Sequence, residues 1–335
     1  MKTRRTGVTI VLPVHNGAET LPEALHSISQ QTYRDWRLVV VDDGSTDGSA
    51  EVVARHFRGD RRVRLVRTEH RGVAAAANLA LREADTEWVA RMDADDLCMP
   101  ERLEVQLDFA LRHPEVDVVA GQVESFAAGG IGEGFAHYDA WQNALLTHEA
   151  IAREAFVELP VAHPTLLMRR RRILAVGGYR AGDFPEDYEF FLRALARGLR
   201  FGKVQSVVLR WRDHPHRATR TDPRYREEAF LRVKATYLAP RLRGRPLFVW
   251  GGRKARRLGR LLAAEGAPPS GWVDVDPRKR GQRSDGLPFL EPGALPPAGT
   301  AYVVACVGTR GAREEIRAAL HGRGYRETAD FWMAG

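Results

Sequence analysis

The sequence predicts an α/β fold: a mostly parallel, twisted sheet with helices on both faces, followed by a second, smaller α/β unit. Three observations predict it. Over the first hundred residues, short apolar runs alternate with segments whose apolar residues recur at helical spacing, the pattern of strands joined by crossover helices. Polar and acidic residues gather where the apolar runs end, and ligands of open α/β sheets bind outside the carboxyl ends of the strands. The strand–helix alternation then resumes after a basic Pro/Gly connector, "PRLRGRP" at 240–246.

The elements follow in order. "VTIVLPV" (8–14) is a buried strand, and "ETLPEALHSISQQ" carries Leu21, Ala24, Leu25 and Ile28 on one helical face. "WRLVVVDDGSTDGS" is a second strand closing in Asp42 and Asp43, with Ser45 or Asp47 as the cap of the helix "SAEVVARHF". "RVRLVR" and "GVAAAANLALREA" are the third strand and helix. "EWVARMD" is the fourth strand, and Pro100 begins the helix "ERLEVQLDFALRH", since proline suits a first helical turn. Residues 121–160, with "AAGGIGEGF" and "HYDAWQ", lose the alternation and read as a mobile excursion bordering a site. Regularity returns in "PTLLMRR", "GGYRAGDFPEDYEFFLRALARG" and "VQSVVLRWRDH", then a helix around Pro223 to Leu238. The second unit reads "LFVWGG", "ARRLGRLLAAEG", "GWVDVD", "AYVVACVG" and "AREEIRAALHGRG". The expected division is 1–220, a helical connector at 221–244, and a small domain at 245–335.

Composition narrows the function. The chain has 335 residues, 44% hydrophobic, and a formal net charge of +8. Arginine is spread through the chain, often near Glu, so the charge does not form a nucleic-acid stripe, and no nucleic-acid partner is expected. The run Arg169 to Arg172 is the strongest basic patch. It reads as a solvated helix start, or as contact with an anionic acceptor or a membrane surface. No apolar run approaches a membrane span, and the basic start "MKTRRTGVTIVLPV" breaks at Pro13, so no signal peptide is expected. Two distant cysteines, Cys98 and Cys306, fit a reducing compartment. The expectation is a cytoplasmic protein, with peripheral contact at the inner face of the membrane left open.

The stretch "WVARMDADDLCMPERL" (88–103) crowds Asp93, Asp95 and Asp96 into four positions just past a strand. Like charges so close repel, so the cluster is either a solvated turn or a holder of a cation. Oxygen ligands suit Mg²⁺ or Mn²⁺, and Mg²⁺ takes one or two protein carboxylates and completes its shell with substrate phosphates and water.

These motifs carry a resemblance. "VTIVLPVHNGAETLPEALHSISQQTYRDWRLVVVDDGSTDGS" with "WVARMDADD", then "AHPTLLMRRRRILAVGGYRAGDFPEDYEFFLRALARGLRF" and "VVLRWRDH", resemble the family 2 glycosyltransferases of GT-A fold, from about Val8 to His216. The resemblance implies that Pro13, His15 and Asn16 line the nucleotide pocket and that Asp43, beside Asp42, hydrogen-bonds the base. It implies that Asp93 approaches ribose and metal, and that Asp95 binds a metal bridging the donor diphosphate. Asp187, with Glu186 beside it, matches the catalytic base. Arg212 and His214 fall near the diphosphate, with His214 as a further metal candidate. The chain departs from the family at His15 and Trp211, where tyrosine is usual, and at Ala77, where an arginine commonly precedes the asparagine; Arg71 or Arg91 would then serve. His163 reads as a loop-packing residue.

The implied activity is an inverting, metal-dependent transferase. It would move a sugar from a nucleotide-diphosphate sugar, UDP- or dTDP-linked by preference, to a hydroxyl of a glycan or lipid-linked saccharide in cell-surface polysaccharide synthesis. The alternatives are a sugar nucleotidyltransferase and a non-catalytic sugar-nucleotide-binding scaffold. The second unit resembles a small Rossmann-like domain. Its Gly251, Gly252 and Gly259 break the dinucleotide fingerprint, although Arg253, Lys254 and Arg256 could attract phosphate, with Asp274 placed for a ribose.

Overall fold

A computed structural model describes residues 7–215 and 217–335. His216, where the family resemblance ends, and the basic start at 1–6 lie outside the described residues. The chain divides into two compact units, residues 1–151 with 160–222, and residues 152–159 with 223–335.

The first unit opens with β1 (Val8–Val14), α1 (Leu21–Ser29), β2 (Trp36–Asp43), α2 (Ser49–His56), β3 (Val63–Thr68), α3 (Val73–Glu83) and β4 (Trp88–Arg91). All seven residues of β1 are buried, which is what a strand covered on both faces requires. β3, β2, β1 and β4 lie side by side and parallel, as the alternating pattern predicts. Each fully buried Val, Leu or Ile of this core contributes about 1.5–3 kcal/mol. α2 begins after Gly48 (φ 89°), and Asp47 Oδ1 accepts the Ser49 N–H at 3.0 Å, so the expected Asp47 contact forms one residue ahead of the cap.

β5 (Leu97–Cys98), α4 (Arg102–Arg112), β6 (Val118–Phe126), α5 (Glu133–Asn143), α6 (His148–Glu154), β7 (Leu167–Arg169), α7 (Arg170–Ala175), α8 (Glu186–Ala196), β8 (Phe201–Arg212) and α9 (Ala218–Thr221) follow. They extend the sheet to β3-β2-β1-β4-β7-β6-β8-β5, with β7 and β5 antiparallel to their neighbours. The expected irregular excursion at 121–160 is therefore corrected: it holds most of β6 and two helices. Gly121 concealed the strand. A Cβ there would lie 2.1 Å from Val208 Cγ2, so the close approach of β8 demands glycine where the sequence reads as a loop. The register of β6 against β8 also shifts around Gln122.

The arginine run is built into the unit. Arg169 pairs with Glu87 at 2.6 Å and stacks over Trp88, Arg170 donates to the Leu81 carbonyl, and Arg172 pairs with Asp117.

The second unit contains α10 (Glu227–Leu238), β9 (Leu247–Trp250), α11 (Arg253–Ala264), β10 (Pro269–Val273), β11 (Arg283–Ser284), β12 (Leu287–Leu290), β13 (Tyr302–Ala305), α12 (Ala312–Gly322) and β14 (Phe331–Met333). The helix expected in a connector thus belongs to this unit. β12, β10, β9, β13 and β14 run parallel in that order, with β11 pairing antiparallel to β12. Gly251 (φ 136°) lies against the Cys306 carbonyl, and Gly259 lets α11 settle on Trp272. Asp274 is engaged inside its own loop, by Lys279 and by the Asp276 N–H. Among the described residues no helix is long and apolar enough to cross a membrane.

Candidate active site

Because β2, β1 and β4 are parallel neighbours, their carboxyl ends share one rim. At the end of β1, His15 Nδ1 lies 2.8 Å from the Asp43 carbonyl, and its ring stacks on His70 with centroids 4.0 Å apart. Asn16, with φ 52°, accepts the Thr46 N–H at its Oδ1 and donates its own N–H to Ser45 Oγ. A left-handed backbone at a non-glycine residue is a local strain that asparagine tolerates best. Pro13 lies in β1 opposite Val41, which leads into the acidic pair.

Asp42 and Asp43 are both buried. Asp42 Oδ1 accepts the Ser45 N–H, which shapes the turn. The two oxygens of Asp43 accept the Arg71 and Gly72 N–H groups, each at 2.8 Å, so this carboxylate holds the 70–72 loop against the strand end. Gly44 fits the same junction, since a Cβ would meet the His70 nitrogen at 2.7 Å.

Past β4, one ligand oxygen from each of Asp93, Asp95 and Asp96 falls within 4.8 Å of the others. Thr20 donates to the Ala94 carbonyl at 3.1 Å and ties this turn to the β1 loop. The end of β8 reaches the cluster: His214 Nε2, two residues past the strand, lies 3.0 Å from Asp95 Oδ2, and the guanidinium of Arg212, the last residue of β8, donates to the Asp95 carbonyl at 2.7 Å and to Glu23 at 2.5 Å. Asp96 is 1% exposed; its Oδ1 accepts the Arg212 N–H, and its Oδ2 has no partner among the described residues. Burial, then Asp95 and Asp93, push its carboxyl well above the usual range.

Asp187 stands in the first turn of α8, after Pro185. A helix start with a local N–H bond favours a charged carboxylate, and Asp187 Oδ1 does accept the Tyr188 N–H at 2.7 Å. Burial outweighs this, and with the Glu186 and Asp93 charges it pushes the Asp187 pKa up to about 7. The effect of Asp93 places the start of α8 within electrostatic reach of the β4 turn.

The predicted residues thus form two groups on one rim, the β1–β2 pocket and the β4–β8–α8 acidic centre. Sequence alone places Asp96 in the cluster and offers Arg91 only as a stand-in for the arginine the family has; the structure adds more at both and at two neighbours. Arg91, 3% exposed, has Nη2 2.5 Å from Asp93 Oδ1, while its Nε and Nη1 are buried with no partner among the described residues. A charge inside an apolar run was the signal for it. Tyr179 gives no signal in sequence, and Asn78 only marks the position that an arginine precedes in the family. Asn78 brackets Tyr179, accepting its N–H and donating to its carbonyl, both at 2.8 Å, and leaves no room for a Cβ at Gly178. His163 donates to or accepts from Tyr179 Oη at 2.8 Å, and burial lowers its pKa to about 3, with Arg91 adding to the shift.

The acidic centre suits a hard divalent cation. It offers oxygen donors, a buried carboxylate oxygen without a partner, and like-charge crowding that a cation relieves.

The fold is of the GT-A class. A family model described as Glycosyl transferase family 2 matches residues 9–177, just over half of the chain, and the protein belongs to that family. It is similar to an uncharacterized glycosyltransferase of Haemophilus influenzae, 29% identical over 60% of this chain and 73% of the relative. It is similar also to the putative glycosyltransferase EpsE of Bacillus subtilis (28%, over 62% and 73%) and the amylovoran biosynthesis glycosyltransferase AmsE of Erwinia amylovora (29%, over 58% and 71%). Among solved structures, TarS of S. aureus in complex with UDP-GlcNAc aligns with a TM-score of 0.58 at 19% identity, over 77% of this chain and 71% of that one. The mannosyltransferase PcManGT of Pyrobaculum calidifontis, in complex with GDP-Man and Mn²⁺, aligns with a TM-score of 0.51 at 24% identity, over 79% and 76%.

Proposed function

We propose that this glycosyltransferase is inverting and divalent-metal-dependent, and that it moves a sugar from a UDP- or dTDP-sugar to a hydroxyl of a glycan or lipid-linked saccharide. The observation that carries the reading is the pairing of the acidic β4 turn with a carboxylate of raised pKa at the start of α8. A nucleotide sugar and Mn²⁺ in the structural neighbours, and amylovoran biosynthesis in a sequence relative, support it.

Asp93 and Asp95 would hold Mg²⁺ or Mn²⁺, with His214 already bonded to Asp95 and Asp96 behind them. The ion would neutralise charge on the leaving diphosphate as a Lewis acid. Pro13, His15, Asn16, Asp42 and Asp43 would form the nucleotide pocket. Asp43 Oδ1 keeps a second lone pair for a base N–H, while Oδ2 already meets the Gly72 N–H and His70 Nδ1, and the stacked His15–His70 pair offers a flat surface. Asp187 would take the proton of the acceptor hydroxyl. A base with a pKa near the working pH combines a useful ionised fraction with proton affinity, and one base opposite the leaving group gives inversion. Glu186 keeps that proton affinity high, and Arg212 lies on the diphosphate side. The protein would work in the cytoplasm, with peripheral membrane contact at the acceptor.

Thermal melts against UDP-, dTDP- and GDP-sugars, with and without Mn²⁺, test the donor assignment. A ligand that binds only the native state raises its apparent stability. Mn²⁺-dependent stabilisation by a UDP- or dTDP-sugar is expected. Stabilisation independent of the metal would overturn the metal assignment, and none by any donor would favour a scaffold.

A further inference from the structure

Helix α5 inverts the usual amphipathic arrangement. It buries Asp139 and Gln142, with Asp139 Oδ2 accepting the Ser125 N–H at 2.9 Å, and leaves Phe135, Tyr138 and Trp141 only half-buried. An ordinary surface helix would turn those aromatics inward. Two of these rings continue into Trp211 of β8: Tyr138 lies 5.6 Å from Trp141 and 6.1 Å from Trp211, centroid to centroid, and Phe135 joins them through a shared arginine. Two guanidinium groups lie over this wall. Arg217 sits 4.5 Å above Trp211 and 5.8 Å from Phe135, and Arg220 sits 5.7 Å from Phe135.

The wall adjoins the acidic centre. Trp211 precedes Arg212, whose side chain and N–H bond the β4 turn, and Arg217 is near enough to Asp96 to oppose the rise in its pKa. Arg217 and Arg220 share the Asp213 carboxylate, at 3.9 and 2.6 Å. Two cations against one anion leave one positive charge over in this trio. Aromatic faces with a polar edge suit ligands that are apolar on one side and wet on the other, as a sugar ring is. A guanidinium fork matches a planar carboxylate, and Arg220 already bonds one in Asp213, with Arg217 within ion-pair distance.

We propose that the α5–β8 aromatic wall is an acceptor subsite that stacks an acidic sugar, with Arg217 and Arg220 pairing the sugar's carboxylate. This rests on the transferase reading and names its acceptor class. A single carboxylate cancels the surplus charge, whereas a phosphate group, with a charge of about −1.5 to −2, overshoots it. The half-exposed Arg220, with 47% of its side chain accessible, is placed to meet an incoming ligand, while Arg217, at 10%, forms the floor.

Tryptophan fluorescence of the full chain, with and without UDP and Mn²⁺, tests this with three probes: glucuronyl-β1,4-glucose, its neutral counterpart cellobiose, and glucose 1-phosphate. The acidic disaccharide should bind about tenfold more tightly than cellobiose, the value of one charge-assisted pair. Arg220→Gln should remove that preference, and Trp141→Ala should weaken both disaccharides, with Trp141→Phe restoring them. Equal binding of the acidic and neutral disaccharides, no binding of either, or a preference unchanged in Arg220→Gln would overturn the proposal. Tightest binding of glucose 1-phosphate would replace the acidic sugar by a sugar phosphate and overturn it too. Acidic-sugar binding that persists while no nucleotide sugar stabilises the protein would sink the donor reading and leave the wall standing.

Discussion

At pH 8 the folded chain keeps the Asp187 carboxylate charged against burial, Glu186 and Asp93. Asp187→Asn removes that charge while an amide oxygen remains to accept the Tyr188 N–H. The folded pKa of about 7 stands above the ordinary 3.8. The unfolded chain therefore ionises first, and the wild type loses stability as pH rises from about 4 to about 7, with the full loss present above that window. Each pKa unit corresponds to about 1.4 kcal/mol, so a fully buried group would cost roughly 4 kcal/mol; allowing for residual solvent access gives roughly 2–4 kcal/mol. The Asn variant should be more stable than wild type by that amount at pH 8 and indistinguishable from it near pH 4. Its melting temperature at pH 8 should rise by about 4–15 °C. The assay is a melt in EDTA across this range, beside a transfer assay with Mn²⁺. Transfer should fall by about 10²–10⁴-fold, the usual contribution of a general base, while donor binding persists. A variant no more stable at pH 8 would refute the environment assigned to Asp187, and one that transfers normally would remove it as the base.

Three further perturbations probe the rim and its support. Asp95→Asn should abolish Mn²⁺-dependent stabilisation by the donor, and donor shifts equal to wild type would take Asp95 out of the metal site. Asn78→Ala breaks both bonds that bracket Tyr179 and should cost about 1–3 kcal/mol in urea unfolding; an unchanged midpoint would show that the Arg193 guanidinium, which donates to the Gly178 carbonyl, and the His163–Tyr179 bond suffice to hold this turn. Gly121→Ala drives a methyl into Val208 and should destabilise by about 1–3 kcal/mol, whereas a neutral result would mean that the two strands can separate at no cost.

The resemblance, which the family match bears out, and the alternation of parallel strands and helices over the first hundred residues were legible because their signals are local. A run such as "VTIVLPV" must be buried on both faces, and acidic residues directly after such runs have only the strand ends to occupy. The strand β6 was not legible, because Gly121 answers to Val208, a residue 87 positions away in the chain. The helix α10 was legible as a helix around Pro223 to Leu238, but not its place in the second unit, where Lys234 donates to the Val157 and Ala334 carbonyls.

Sequence by itself determined the class of the protein and the acidic turn, since their motifs are written in contiguous residues. Only the tertiary structure decided what those groups became. Burial raised the pKa of Asp187 and of Asp96, and the chain's return through β8 brought His214 to Asp95. The packing of α5 beside β8 brought Phe135 under the arginines that follow β8 and Tyr138 to Trp211. Each of these depends on dielectric and distance between remote segments, which no local pattern encodes.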